Sequence, residues 1–233
     1  MKHQAVVFDL FGTLIENFAM EPYRACLYDM ARILGAPGED FARVWVDTYG
    51  ERTLGHHPTL ALSVRLLCQG LGCDVEGAAV ERAVERRMVL TRAQIVPRPD
   101  VVPTLEELRR RGCRVGLVSD CSPDIPEVWP GTPFAPLVDV AIFSCSVGLR
   151  KPDPRIFLLA CERLGASPEA CLFVGDGGSD ELAGAAAVGM QPVLIRAPHD
   201  VSSDWHRVDP EAWTGARVDA VSGVLALLET DEE

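Results

Sequence analysis

Five short apolar runs, separated by segments of helical periodicity, most constrain the fold of this chain. The runs are rich in Val, Ile and Phe and lie at 5–10, 113–120, 138–145, 170–176 and 191–196. Continuous apolar runs of this length are typical of buried parallel strands. The helical segments between them, at 103–112, 154–165 and 180–190, favour right-handed crossovers. The pattern predicts an α/β fold with a doubly wound parallel sheet, closed by a short strand near 218–221 and a final helix.

Residues 16–95 interrupt this alternation of strands and helices. They contain no convincing strand, but several amphipathic helical stretches that Gly and Pro separate. A segment of about 80 residues is too long for an ordinary loop. We therefore predict a core domain formed by residues 1–15 and 96–233, with an all-helical cap domain, residues 16–95, inserted after the first strand.

The charge and the cysteine content exclude several classes of protein. The chain of 233 residues carries a formal net charge of −12, which argues against a nucleic acid partner held on a broad basic surface. Eight cysteines occur without a CxxC pair, which favours free thiols in a reducing cytoplasm over disulfides or zinc ligands. No apolar run approaches the length of a membrane span. We therefore expect a cytoplasmic protein that binds neither nucleic acid nor membrane.

Polar residues follow four of the predicted strands, at the point where each strand ends. They comprise three acids, two hydroxyls and one lysine: Asp9, Asp176, Asp180, Thr13, Ser119 and Lys151. In an open parallel sheet, ligands bind beyond the carboxyl ends of the strands. Carboxylates are ligands that Mg²⁺ prefers, whereas lysine and hydroxyl groups bind phosphate oxygens. The set therefore indicates a site for a divalent cation and a phosphate held together.

Each of these residues also has a simpler structural explanation. An aspartate after an apolar run is commonly a turn former or a helix cap, and Asp180 is placed to cap the helix that follows it. Lys151 precedes a proline-rich turn, where lysine is commonly exposed. The functional interpretation is favoured because all of them occur in order, each after a predicted strand.

At this point the sequence resembles the haloacid dehalogenase superfamily of hydrolases. The four motifs of that superfamily match DLFGT (9–13), Ser119, Lys151 and GDGGSD (175–180). The helical insertion after the first strand resembles the subclass of phosphoglycolate phosphatase and L-2-haloacid dehalogenase. The motifs are specific for the superfamily and carry little information about the substrate.

The resemblance implies a role for each matched residue. Asp9 is expected to be the nucleophile, which in the phosphatases forms an aspartyl-phosphate that water then hydrolyses. Lys151 is expected to balance the charge of Asp9 and, with Ser119 and the turn at Gly12 and Thr13, to bind the phosphate of a small phosphorylated metabolite. The implied Mg²⁺ ligands are Asp9, the backbone carbonyl of Phe11 and Asp176, with Asp180 as a further ligand directly or through water.

Phe11 departs from the phosphatase pattern. Phosphatases of the superfamily usually carry a second aspartate there, which protonates the leaving group, and such acid catalysis contributes about 10²–10⁴ in rate. Slow turnover, or restriction to good leaving groups, is therefore expected. Dehalogenases resemble this chain in having an aromatic residue at that position, but they work without metal and usually have Ser and Asn in the fourth motif, where this chain keeps Asp176 and Asp180.

Because two acids beside Asp9 would repel each other without a cation, we favour a Mg²⁺-dependent phosphatase. A metal-independent 2-haloacid dehalogenase is the alternative, and a protein that binds a phosphorylated ligand or a partner with little turnover is a second one. Within the cap, Arg52, His56 and His57 are the candidates for substrate contact. An exposed loop between helices is the simpler explanation of these three residues.

Overall fold

A single parallel sheet forms the centre of the protein, in a computed structural model that describes residues 3–197 and 213–228. Its strands are β1 (Ala5–Phe8), β2 (Arg114–Ser119), β3 (Val140–Phe143), β4 (Cys171–Gly175), β5 (Gln191–Ile195) and β6 (Ala216–Val218). The order across the sheet is β3-β2-β1-β4-β5-β6, and all pairs are parallel. The chain builds outward from β1 on one side and then from β4 on the other. The predicted doubly wound α/β fold is confirmed.

The central strands are apolar throughout because both faces of the sheet are covered. Successive side chains of a strand point to opposite faces. In β1, Val6 and Phe8 enter the hydrophobic cluster on one face, whereas Ala5 and Val7 enter the cluster on the other. All four side chains are fully buried, which explains why the sequence shows a continuous apolar run instead of an alternating one.

The inserted segment contains five helices. They are α1 (Met20–Leu34), α2 (Gly38–Asp47), α3 (Tyr49–Thr53), α4 (Leu60–Gly70) and α5 (Gly77–Gln94). These helices bury a hydrophobic cluster separate from those of the sheet, with Phe41 and Trp45 stacked at its centre. We call them the cap; the predicted domain limits at residues 15 and 96 stay a prediction.

The remaining helices pack against the sheet. They are α6 (Val101–Arg110), α7 (Asp124–Val128), α8 (Ser144–Val147), α9 (Pro154–Leu164), α10 (Glu181–Ala187) and α11 (Val224–Leu227). α9 begins as its sequence indicates, because the Asp153 side chain accepts a hydrogen bond from the Arg155 N–H at 2.9 Å and Pro154 occupies the first helical position. Within the described ranges, no helix has the length and apolarity needed to cross a membrane. The eight cysteines are free thiols.

A buried ion pair joins the cap to the core. Arg87 on α5 donates from Nε to Oδ2 of Asp124 on α7 at 2.9 Å, and the Thr91 hydroxyl donates to the same oxygen at 2.7 Å. Both charged side chains are almost fully buried. The Arg87 guanidinium also lies 4.6 Å from the ring centroid of Tyr23 in α1. The contact between α5 and α7 is therefore polar at its centre.

Candidate active site

Two aspartates lie side by side where the strand order reverses. Asp9 directly follows β1 and Asp176 directly follows β4, and these strands are neighbours in the sheet. The Asp9 N–H donates to the carbonyl of Val174 at 2.9 Å, which continues the ladder between the two strands. Both carboxylates are buried. The carboxyl ends of β1 and β4 thus bring together residues that are far apart in the chain.

Lys151 connects Asp9 to a third acid, Glu181. Its ammonium donates hydrogen bonds to Oδ1 of Asp9 and to Oε2 of Glu181. All three side chains are at least nine-tenths buried. Burial alone lowers the pKa of Lys151, but Asp9, Glu181 and Asp120 outweigh it, so the pKa lies well above its usual value. Lys151 is therefore a fixed positive charge against the two carboxylates.

Asp9, Asp176 and Glu181 form the acidic group of the site, and Asp180 is not part of it. Their oxygens lie within 4.8 Å of one another. The Asp180 side chain is exposed instead. Ser179 and Asp180 both have positive φ, 54° and 52°, so the chain turns before α10 and its first residue, Glu181, faces inward. The geometry therefore adds Glu181 to the candidate ligands, and the role of Asp180 as a ligand, directly or through water, stays a prediction.

Gly175 makes room for Glu181. A Cβ on Gly175 would lie 2.2 Å from Oε1 of Glu181, so any larger residue would force the Glu181 carboxylate to move. The same Oε1 accepts a hydrogen bond from the Gly177 N–H at 2.9 Å. The glycine directly before Asp176 is therefore the sequence feature that leaves space for the Glu181 carboxylate.

The charge balance of this group fits a divalent cation. Burial raises the pKa of Asp9 to about 6, opposed by Lys151 and reinforced by Asp176. Burial, with the charges of Asp9 and Asp176, also raises the pKa of Glu181 well above its usual range in spite of Lys151. With all three acids ionised, one lysine leaves an excess of two negative charges. A Mg²⁺ ion, which prefers carboxylate oxygens, would neutralise that excess.

The predicted phosphate-binding residues surround Asp9. Gly12 has a φ of 72° in the turn after β1, and the Thr13 hydroxyl donates to Oδ2 of Asp9 at 3.4 Å. Ser119 is the last residue of β2; its hydroxyl is fully buried and has no hydrogen-bond partner among the described residues. Such a hydroxyl is free to bind a ligand oxygen. The binding roles of these residues stay predictions.

Phe11 offers no proton donor at the site. Its ring makes an edge-to-face contact with Phe18, with centroids 5.3 Å apart, and packs against the hydrophobic cluster of the sheet. Phe18 lies on the segment that leads into the cap. The aromatic side chain therefore contributes to the seam between core and cap, and the position of its carbonyl as a metal ligand stays a prediction.

The three cap candidates have different environments. Arg52 is 1% exposed; it donates to the backbone carbonyl of Trp45 at 2.6 Å and lies over the Trp45 ring at 4.2 Å. His57 is buried with Nε2 3.3 Å from Glu51, and burial lowers its pKa. His56 is exposed. The expectation of an exposed loop is therefore wrong for Arg52 and His57, because both side chains fold back into the cap.

Comparisons with known proteins agree with this arrangement. The family model described as "Hydrolase: haloacid dehalogenase-like hydrolase" matches residues 3–188. A phosphatase from Mycobacterium tuberculosis is 31% identical over 198 residues, covering 84% of this chain and 88% of the relative. A phosphoserine phosphatase from Thermus thermophilus is 28% identical over 225 residues, covering 82% of this chain and 87% of the relative.

A solved structure of a dehalogenase is also similar to this chain. The 2-haloacid dehalogenase from Pseudomonas syringae pv. Tomato DC3000 superposes with a TM-score of 0.69 at 26% identity, covering 97% of this chain and 98% of the other. The similarity extends over the sheet and the inserted helices alike. Relatives by sequence and by structure thus include both phosphatases and a dehalogenase.

Proposed function

The chain belongs to the haloacid dehalogenase-like hydrolase family, and from this premise we propose that it hydrolyses a small phosphate ester in a Mg²⁺-dependent reaction. The observation that supports the proposal is the group of three buried carboxylates, Asp9, Asp176 and Glu181, against one lysine. Without a cation, Asp176 opposes the ionisation of Asp9, and both aspartates oppose the ionisation of Glu181.

The proposed nucleophile is Asp9. A carboxylate oxygen attacks phosphorus and the bond to the ester oxygen breaks, which leaves an aspartyl-phosphate that water hydrolyses in a second step. Lys151 keeps Asp9 ionised and fixes its orientation through the hydrogen bond to Oδ1. Ser119 offers its free hydroxyl to a phosphate oxygen. Asp9, Asp176 and Glu181 would hold the Mg²⁺ ion, which would reduce the repulsion between the Asp9 carboxylate and the phosphate.

A dehalogenase is the second candidate, and Phe11 is the observation that favours it. A halide leaves without a proton, so an aromatic residue in place of an acid costs that reaction nothing. The similar dehalogenase structure is consistent with this candidate. A protein that binds a phosphorylated ligand or a partner with little turnover is the third. We also propose a cytoplasmic location, which eight cysteines without a disulfide support.

A substrate screen separates the three functions. The full chain is assayed on a panel of phosphate esters and on 2-haloacids, with millimolar Mg²⁺ and again with excess EDTA. We expect phosphate release that EDTA abolishes, because the acidic group needs a cation to accept a phosphate. Halide release that EDTA leaves unchanged would replace the phosphatase by the dehalogenase. Ligand binding by calorimetry without turnover on either panel would favour the binding protein.

Glu181→Gln should weaken Mg²⁺ binding more than Asp180→Asn. We expect Glu181→Gln to lower the apparent Mg²⁺ affinity by at least about 10–100-fold, the loss typical of a disturbed metal site. Asp180→Asn should change it less than about threefold, because water and salt screen an exposed carboxylate. The affinity is measured by calorimetry and from the Mg²⁺ dependence of activity. A larger loss of Mg²⁺ affinity for Asp180→Asn than for Glu181→Gln would support Asp180 as the metal ligand, as predicted from the sequence.

A further inference from the structure

Asp120 is a buried carboxyl beside the site that the reaction above does not use. It directly follows Ser119 and β2, and the residue is 7% exposed. The pairing of β1 with β2 sets Phe8 opposite Leu117. Phe11 and Asp120 therefore each lie three residues beyond a paired position. Both residues thus lie in the segments that leave the carboxyl ends of two neighbouring strands.

Two contacts fix the position of Asp120. Its Oδ1 accepts a hydrogen bond from the backbone N–H of Lys151 at 3.0 Å, and its backbone carbonyl accepts one from the Tyr49 hydroxyl at 3.3 Å. Its Oδ2 is buried and has no hydrogen-bond partner in the described part of the chain; Nε of Arg150 is 3.9 Å away. A buried oxygen without a partner is costly. This oxygen is therefore available to a group that a ligand brings.

Lys151 contacts the carboxyl groups of both Asp120 and Asp9, each with a different end of the residue. Its backbone N–H holds Asp120, whereas its ammonium holds Asp9. In a phosphoryl transfer the attacking and leaving oxygens are roughly in line on opposite sides of phosphorus. A group that protonates the leaving oxygen must therefore stand away from the nucleophile. Asp120 is a candidate for that place because it is held at the backbone end of Lys151 and Asp9 at the ammonium end, and Ser119 lies next to Asp120 in the chain.

We propose that Asp120 is the general acid of this enzyme and supplies the proton that Phe11 cannot. The inference rests on the proposed phosphatase function. When Asp9 bonds to phosphorus and the bond to the ester oxygen breaks, that oxygen takes the proton of the Asp120 carboxyl and leaves as an alcohol. Water then attacks phosphorus and gives a proton to the Asp120 carboxylate. The bond from phosphorus to Asp9 breaks, which releases inorganic phosphate and the free Asp9 carboxylate.

The surroundings of Asp120 favour its protonated form. Burial raises its pKa, and Lys151 and Arg150 oppose this without reversing it. The other titratable groups near this carboxyl are Tyr49 on α3 and Cys121 next along the chain, and Asp124 on α7 lies beyond Cys121. Asp124 is already paired with Arg87, and the Tyr49 hydroxyl already donates its hydrogen to the backbone carbonyl of Asp120. Asp120 therefore keeps its proton to a higher pH than an ordinary aspartate, which is what an acid catalyst needs.

The test compares two substrates that differ in their need for a proton. The leaving group of phenyl phosphate is phenolate, which is basic and needs a proton to leave. The leaving group of para-nitrophenyl phosphate is para-nitrophenolate, which is weakly basic and leaves without a proton. Asp120→Asn keeps an acceptor for the Lys151 N–H and removes the proton. We expect it to lower kcat/KM for phenyl phosphate by about 10²–10⁴, with a change of less than about tenfold for para-nitrophenyl phosphate. Asp47→Asn, an exposed aspartate on the outside of the cap, is the matched control and should change neither.

A rescue and a pH profile complete the experiment. Phe11→Asp should restore part of the phenyl phosphate activity in the Asp120→Asn background, because it returns an acid at the usual place. In the unmodified protein, kcat/KM for phenyl phosphate should fall as pH rises through the pKa of Asp120, and Asp120→Asn should lose that limb. The wild-type limb is measurable even if the variant does not fold.

The outcomes separate this inference from the proposed function. Equal losses on both substrates would overturn the role of Asp120 as an acid and make it a structural residue. A wild-type rate on phenyl phosphate with no falling limb would overturn it as well. If the wild-type protein hydrolyses neither phosphate ester at any Mg²⁺ concentration, the proposed function is wrong and this inference fails with it.

Discussion

Asp9→Asn is expected to abolish hydrolysis of both phosphate esters and 2-haloacids. The variant keeps the size of the side chain and an oxygen for the Lys151 ammonium, but an amide cannot form the covalent intermediate. Removal of a nucleophile that acts as part of a unit costs a factor on the order of 10⁴ or more in kcat. The measurement is kcat on the best substrate of the screen, at saturating Mg²⁺ and substrate. Asp47→Asn is the control here too.

The same variant should not be less stable than the wild type in EDTA. Burial and Asp176 both oppose the ionisation of Asp9, and this cost disappears when the carboxylate becomes a neutral amide. Urea unfolding in EDTA should therefore show an unchanged or higher midpoint. A variant that is folded, stable and inactive identifies Asp9 as the reacting group. Retention of more than about a tenth of the activity would contradict the nucleophile assignment, since nucleophile loss costs far more than that.

The sheet could be predicted from the sequence because its signal is local. The predicted run 113–120 is β2 at Arg114–Ser119, and 170–176 is β4 at Cys171–Gly175. Each strand is buried on both faces, so its own residues carry the pattern without reference to a partner. The positions of Asp9, Ser119, Lys151 and Asp176 followed from this, because the carboxyl ends of parallel strands meet at one edge.

The rest of the site depends on backbone angles and packing that no local pattern reports. The inward turn to Glu181 requires positive φ at Ser179 and Asp180, which residues with side chains seldom adopt. Arg52 is buried because its guanidinium finds the Trp45 ring and carbonyl inside the cap. The local sequence around Arg52 is polar and resembles an exposed loop. Only the contacts with Trp45, which form in the folded cap, bury this arginine.

Breaking the ion pair between cap and core should cost more stability than any surface change. Arg87→Met leaves the carboxylate of Asp124 buried and, among the residues that the structure describes, hydrogen-bonded to the Thr91 hydroxyl alone. Loss of one partner of a buried pair typically costs about 3–5 kcal/mol of unfolding free energy. Arg43→Met, which removes an exposed pair with Asp40 on α2, is the matched control and should cost less than about 1 kcal/mol. Both are measured by urea unfolding at neutral pH.

The double variant Arg87→Met with Asp124→Leu distinguishes stability from the positioning of the cap. Replacement of both charges by apolar groups is often neutral, so most of the lost free energy should return. If activity returns with it, the pair only holds the fold together. If the double variant is as stable as the wild type but has a higher KM than the wild type and the same kcat, the pair positions the cap over the substrate. A single variant that costs less than about 1 kcal/mol would mean that water reaches Asp124 and that the pair is not buried in solution.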